Sequence, residues 1–139
     1  VRELHGVKYY NDSIASSPSR TIAGLHSFPQ KVILIAGGYD KHIPFDVLGP
    51  EVCAHVKTLV LCGATAGKIR AAVENAPEYR EGEPQILEAN NLREAVELAK
   101  NAAVAGDIVT LSPACAAFDQ FKNFAVRGKT FKEIVNSLT

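Results

Sequence analysis

Three segments of this chain collect polar and small residues just where a strand-like run ends. Tyr9 to Thr21, YYNDSIASSPSRT, sets Asn11, Asp12, Ser13, Ser16 and Ser17 before a helix start marked by Ser17-Pro18. Helix starts carry unpaired N–H groups and a partial positive charge, which suit an anion. Asp12 can also hydrogen-bond a ribose hydroxyl. The same residues serve equally to cap the helix and turn the chain, and pattern alone favours that plainer role.

Ile35 to Pro44, IAGGYDKHIP, is the second segment. Two glycines after a buried strand let backbone approach a ligand closely. Lys41 then supplies a point charge for a carboxylate or phosphate, with Asp40 able to hold it. A tight turn with a solvated lysine is the plainer reading. No GxxxxGK[ST] phosphate loop occurs in the chain.

Thr110 to Phe131 is the third. Ser112, Ala114, Cys115, Ala116 and Ala117 are small enough to leave backbone N–H groups open to an anion. Cys115 has no base partner at a useful spacing, so packing is its expected role. Phe118, Phe121 and Phe124 recur at three-residue spacing, which is commoner in a core than in a cofactor stack. Lys122 and Arg127 read as solvated charges.

These segments need elements to hold them. Val7–Tyr10, Lys31–Ala36, Thr58–Cys62 and Ile108–Leu111 read as strands, and Gln85–Glu88 as a short edge strand. Helices are expected from Ser17 to about Phe28, Phe45 to His55, Ala64 to Asn75, and Asn91 to Val104. Phe118–Phe124 and Lys129–Leu138 read as helical, broken near Gly128. Pro77 to Pro84 reads as a surface loop. Strands alternating with helices imply right-handed βαβ units. The expected fold is α/β, a Rossmann-like open, mostly parallel sheet with helices on both faces. Ligands of such sheets bind outside the carboxyl ends of the strands, where the three segments fall.

Composition narrows the partners. The 139 residues fit one domain, 47% are hydrophobic, and 15 Lys plus Arg balance 15 Asp plus Glu. No global charge draws the chain to nucleic acid or to a membrane surface. Three cysteines without a CxxC argue against a disulfide framework and for a reducing compartment. His5, His26, His42 and His55 are scattered along the sequence, so no metal ligands are expected. The chain has no Met and opens at Val1 almost directly on a strand-like run. A processed N-terminus and a fragment cut from a longer protein explain this equally well.

Together, HGVKYYNDSIASSP (His5 to Pro18), LIAGGYDK (Leu34 to Lys41) and LSPACAAFDQFKNFAVRG (Leu111 to Gly128) resemble the Mur ligases that add D-glutamate. They match in order and at similar separations, and SPACA followed by FDQFKNF and RG is the most discriminating stretch. The resemblance covers essentially all of the chain but only the last of that family's three domains. It implies a cytoplasmic enzyme that joins D-glutamate to UDP-N-acetylmuramoyl-L-alanine with ATP and Mg2+ through an acyl phosphate. The UDP moiety would bind the first domain. The phosphate loop, the Mg2+ ligands and a carbamylated lysine would belong to the central domain. The last domain would bind D-glutamate and swing over ATP, with no catalytic residue of its own, no ATP turnover alone, and a monomeric state.

Residue by residue, the resemblance puts Asp12, with Asn11 beside it, at the nucleotide ribose. It puts Lys41 against a glutamate carboxylate and Ser16 where the family often has threonine. Phe124 and the Ala117-Phe118 backbone would surround the other carboxylate. Ile14 departs from a lysine of the family pattern and Ala117 from a serine, so only the backbone contact carries over at the latter. Two other readings stay open: a free-standing nucleotide- or anion-binding module, and the last domain of a related Mur or folylpolyglutamate ligase.

Overall fold

In the computed structural model, which describes residues 2–39, 44–116 and 121–138, the middle of the molecule is set by two strands with no polar face. Val32–Ala36 (β3) is buried at all five positions, and Val56–Leu61 (β4) at five of six. Side chains alternate across a strand, so each of these must be covered on both sides. Val32, Leu34, Ala36, Leu59 and Leu61 join one apolar cluster, whereas Ile33, Ile35 and Val60 join another. Each large aliphatic chain so buried contributes roughly 1.5–3 kcal/mol. β3 and β4 therefore carry much of the sheet's cohesion.

The remaining elements are β1 (Arg2–Leu4), β2 (Val7–Asn11), α1 (Pro18–His26), α2 (Leu48–His55), α3 (Ala66–Glu74), β5 (Gln85–Glu88), α4 (Leu92–Ala102), β6 (Ile108–Leu111) and α5 (Phe124–Ser137). The sheet order is β1-β2-β6-β3-β4-β5. β1 runs antiparallel to β2, and every other pairing is parallel. Leu25, Leu48, Val52, Ile69 and Val73 place α1, α2 and α3 on one face. Leu92, Val96, Phe131, Ile134 and Val135 place α4 and α5 on the other. The expected open α/β sheet with helices on both faces is what forms.

This order has a functional consequence. The chain leaves β2 and β3 toward the α1–α3 face but leaves β6 toward the α5 face. β6 lies between β2 and β3, so crevices open at its carboxyl end on both sides, the usual ligand position in such sheets.

α4 shows the local rules plainly. Its buried Leu92, Ala95, Val96 and Ala99 follow helical spacing, and the Asn91 side chain accepts from the Glu94 N–H at 2.8 Å. Glu94 reaches back to accept from the Asn90 N–H at 3.3 Å. Three expectations change. β1 is a hairpin partner too short to stand out in the sequence. Residues 121–123 form bends, and the helix starts at Phe124, capped by Asn123 accepting from the Val126 N–H at 2.9 Å; residues 118–120 lie outside the described residues. The helix also runs through Gly128 unbroken. A Cβ there would lie 3.1 Å from that of Ser13, so the glycine lets α5 approach the first loop.

Candidate functional site

The loop after β6 is stitched to its neighbours on both sides. The Asp12 N–H donates to the Leu111 carbonyl at 2.8 Å, and the Ala114 N–H to that of Ala15 at 3.0 Å. On the other side, the Gly37 N–H donates to the Pro113 carbonyl at 2.9 Å and the Tyr39 N–H to that of Ala116 at 2.8 Å. Ala114 holds φ at +62°, an uncommon conformation for a residue with a side chain. Such conformations persist where surrounding contacts fix them, and here the bond to Ala15 does so.

The glycine turn is equally constrained. Gly37 has φ +111°, and a Cβ on it would sit 1.9 Å from the Cys62 carbonyl oxygen. The next residue donates its N–H to Thr65 Oγ1 at 3.0 Å, and that hydroxyl also lies 3.2 Å from Cys115 Sγ. Buried Thr65 therefore ties the turns after β3 and β4 to the loop after β6. Cys115 is a packed thiol in this junction, and Cys53 and Cys62 are buried thiols outside any disulfide as well. Burial pushes the Cys53 thiol pKa up, which keeps it protonated and unreactive.

Arg127 joins the first loop to the third. Although read from the sequence as a solvated charge, it is only 3% exposed. Its Nε donates to Ser13 Oγ at 3.0 Å, Nη2 to the Ser13 carbonyl at 2.6 Å, and Nη1 to the Cys115 carbonyl at 2.8 Å. Nη2 also lies 3.5 Å from Ser16 Oγ. Ser13 in turn donates from its hydroxyl to the Phe124 carbonyl at 2.7 Å, at the first turn of α5. One guanidinium thus spans the Asn11–Ser16 loop and the loop after β6, and brings its charge beside Ser16.

The expected nucleotide residues hold the same framework. Asn11 donates to the Gly128 carbonyl at 3.0 Å and accepts from the Ser13 N–H at 3.2 Å. Asp12 Oδ2 accepts from the Ser112 hydroxyl at 2.9 Å, and Thr21 donates to the Ser112 carbonyl at 3.1 Å. Of the expected glutamate residues, Ser16 is half-buried beside Arg127. Phe124 is 46% exposed and lines a groove of about 380 Å³ with Asn11, Ile14, Lys129 and Lys132. Lys41, Ala117 and Phe118, with Asp40, lie outside the described residues. A larger groove of about 660 Å³ lies between α2 and α3; it is lined by Pro50 and Lys68 and by Pro44 and Phe45, at the far end of the segment after β3, but not by Ser16, Arg127 or Phe124. The framework roles of Ser13, Thr65, Ser112 and Arg127 emerge only from the fold. Their sequence neighbourhoods gave a turn, a helix start and a strand end, but not the partners that give them their roles.

Residues 1–115 match the family model described as Mur ligase, glutamate ligase domain. The chain belongs to the Mur ligase family. The chain is 59% identical over 138 residues to the UDP-N-acetylmuramoylalanine–D-glutamate ligase of Clostridium kluyveri, covering 99% of the chain and 30% of that protein. Identity to the corresponding ligase of Clostridium botulinum strain Hall is 56% over the same length, with the same coverage. The chain thus spans about 30% of the length of the curated relatives it matches. The alignments to these Mur ligases continue past residue 115, into the stretch that holds Phe124 and Arg127.

Solved structures agree on the fold. One is a domain from a Haemophilus ducreyi protein described as a UDP-N-acetylmuramate:L-alanyl-γ-D-glutamyl-diaminopimelate ligase. It superposes with a TM-score of 0.59 at 14% identity, covering 96% of this chain and 95% of that one. A UDP-N-acetylmuramoyl-L-alanyl-D-glutamate–2,6-diaminopimelate ligase superposes at 0.61 and 14% identity, with 99% of this chain and 31% of that one covered.

Proposed function

We propose that this chain is the D-glutamate-binding, ATP-covering domain of a ligase that adds D-glutamate to UDP-N-acetylmuramoyl-L-alanine in cytoplasmic peptidoglycan synthesis. The observation that carries the reading is identity of 56–59% to D-glutamate-adding ligases over 138 residues. Cytoplasmic placement follows from the nucleotide-linked substrate and ATP. It accords with the described residues, which contain no helix long and apolar enough to cross a membrane.

The chemistry asks the domain to hold two carboxylates while leaving an amine neutral and unhindered. Hydroxyls, backbone N–H groups and fixed cations can do this without competing for that amine. Ser16 suits this role because the nearby Arg127 guanidinium supplies positive potential at its oxygen, and its own proton remains to donate to a carboxylate. Lys41 and the Ala117-Phe118 backbone are assigned the remaining carboxylate contacts, and Phe124 the wall. Asp12, with Asn11 beside it, is assigned the nucleotide ribose. Its Oδ2 is already fixed by Ser112, which sets the carboxylate's orientation in advance.

ATP and Mg2+ belong to the complete ligase in this reading. The chain has no GxxxxGK[ST] phosphate loop, so the loop that cradles the phosphates must come from another domain. In a full-length ligase carrying this domain, Ser16→Ala or Lys41→Ala should raise the KM for D-glutamate. The KM for ATP and for the nucleotide precursor should stay nearly unchanged. Loss of one charge-assisted contact corresponds to roughly 1.5–3 kcal/mol, or about ten- to a hundredfold. An unchanged KM for D-glutamate in both variants would overturn the assignment.

A further inference from the structure

We propose that His26, Glu51 and His55 form a surface site for a borderline divalent transition-metal ion such as Zn2+. The site clamps α1 to α2 at the amino end of the sheet, remote from the loops described above. The three residues are scattered in the sequence, but the fold brings them together. His26 is the last residue of α1, and Glu51 and His55 are four apart on α2, hence on one helical face. His26 Nε2 lies 2.6 Å and His55 Nε2 3.5 Å from the same oxygen, Glu51 Oε2. One donor atom from each of the three residues falls within 4.8 Å of the others. The imidazole rings stand 4.8 Å apart, tilted by 40°, so both face the same small volume.

The donor set selects the ion. Two imidazoles and one carboxylate suit Zn2+, Ni2+ or Cu2+, whereas Mg2+ and Ca2+ prefer oxygen alone. Zn2+ binds N and O ligands at about 2.0–2.2 Å, so tetrahedral donors lie about 3.3 Å apart. The present separations bracket that value. Admitting an ion requires the His26–Glu51 contact to open by under about 1 Å and the imidazole nitrogens, within 4.8 Å of each other, to close by at most about 1.5 Å. The side chains can turn to do so, being 53%, 32% and 32% exposed for His26, Glu51 and His55. The fourth position faces solvent and would carry water. Three protein ligands of this type make a reversible site rather than one on which folding depends.

Zn2+ titration of the chain by calorimetry, with millimolar Mg2+ present throughout, tests the proposal. Expected are one tight Zn2+ per chain and chelator-reversible stabilisation against heating. The imidazole resonances of His26 and His55 should shift together. His26→Ala and His55→Ala should each weaken binding at least tenfold, while His42→Ala and His5→Ala keep it. Far-UV circular dichroism confirms that each variant folds. No saturable Zn2+ binding by the folded chain would overturn the site. So would binding that survives the double His26→Ala/His55→Ala replacement, or binding lost in His42→Ala instead.

Discussion

A buried guanidinium leaves little room for substitution. Arg127 gives three short hydrogen bonds to Ser13 and Cys115 from a fork whose directions are fixed by its planarity. Lysine has one ammonium and cannot serve Ser13 Oγ and two carbonyls in those directions. Arg127→Lys should therefore lower stability by roughly 2–4 kcal/mol, and Arg127→Ala by at least as much, since it also leaves buried carbonyls unpaired. Urea unfolding measures both; a loss under about 0.5 kcal/mol for Arg127→Ala would show that the network is dispensable. Read from the sequence, this residue was an ordinary surface charge. Nothing local distinguishes it, because its partners are 12 and 114 positions away. Ser16 and Phe124 were legible only through family resemblance; their residue types alone fit a turn and a core aromatic. The structure puts both next to groups bonded to Ser13: the Arg127 guanidinium beside Ser16, and the Phe124 carbonyl itself.

Strands, turns and caps were easier to read than the contacts between them. β3 is a continuous apolar run, β4 and β6 are apolar apart from Lys57, Thr58 and Thr110, and α4 has a clean apolar stripe with its cap. These signals are local, and the fold honours them. β1 and the true start of α5 were not legible. A three-residue strand has too few side chains to show a period, and the start of α5 depends on Asn123 rather than on the aromatic spacing before it. Gly128 misled for a related reason: a helix tolerates glycine where another segment must come close, and only the fold reveals that segment. The turn after β3 gives the sharper test. Gly37→Ala places a Cβ 1.9 Å from a carbonyl oxygen in a conformation that disfavours any side chain. It should cost on the order of 3 kcal/mol or more and displace the loop that leads to Lys41. Asn91→Ala removes only a cap and should cost about 1 kcal/mol with no change near the site. Thermal unfolding of the two variants compares them directly. Equal losses would mean that the turn relaxes without strain.

A mostly parallel sheet covered on both faces brings the loops after β2, β3, β4 and β6 to one end. The described residues form two buried clusters, one per face. The loops above them are held by backbone hydrogen bonds between β2, β3 and β6. The 139 residues by themselves should therefore unfold cooperatively and present a preformed, if weak, site for D-glutamate. Catalysis is another matter. Phosphoryl transfer depends on donors and metal ions that neutralise charge building on the transferred group. The chain supplies no phosphate loop for that purpose. We expect no ATP hydrolysis and no ligation from the 139 residues alone, even with Mg2+ and all three substrates present. Millimolar D-glutamate should nonetheless shift the amide resonances of residues 13–16 and 123–128 more than L-glutamate does. Turnover by the isolated chain that persists after contaminating ATPase is removed would place catalytic groups in this domain after all. Identical shifts with either enantiomer would mean that selection of the D-amino acid requires the neighbouring domain.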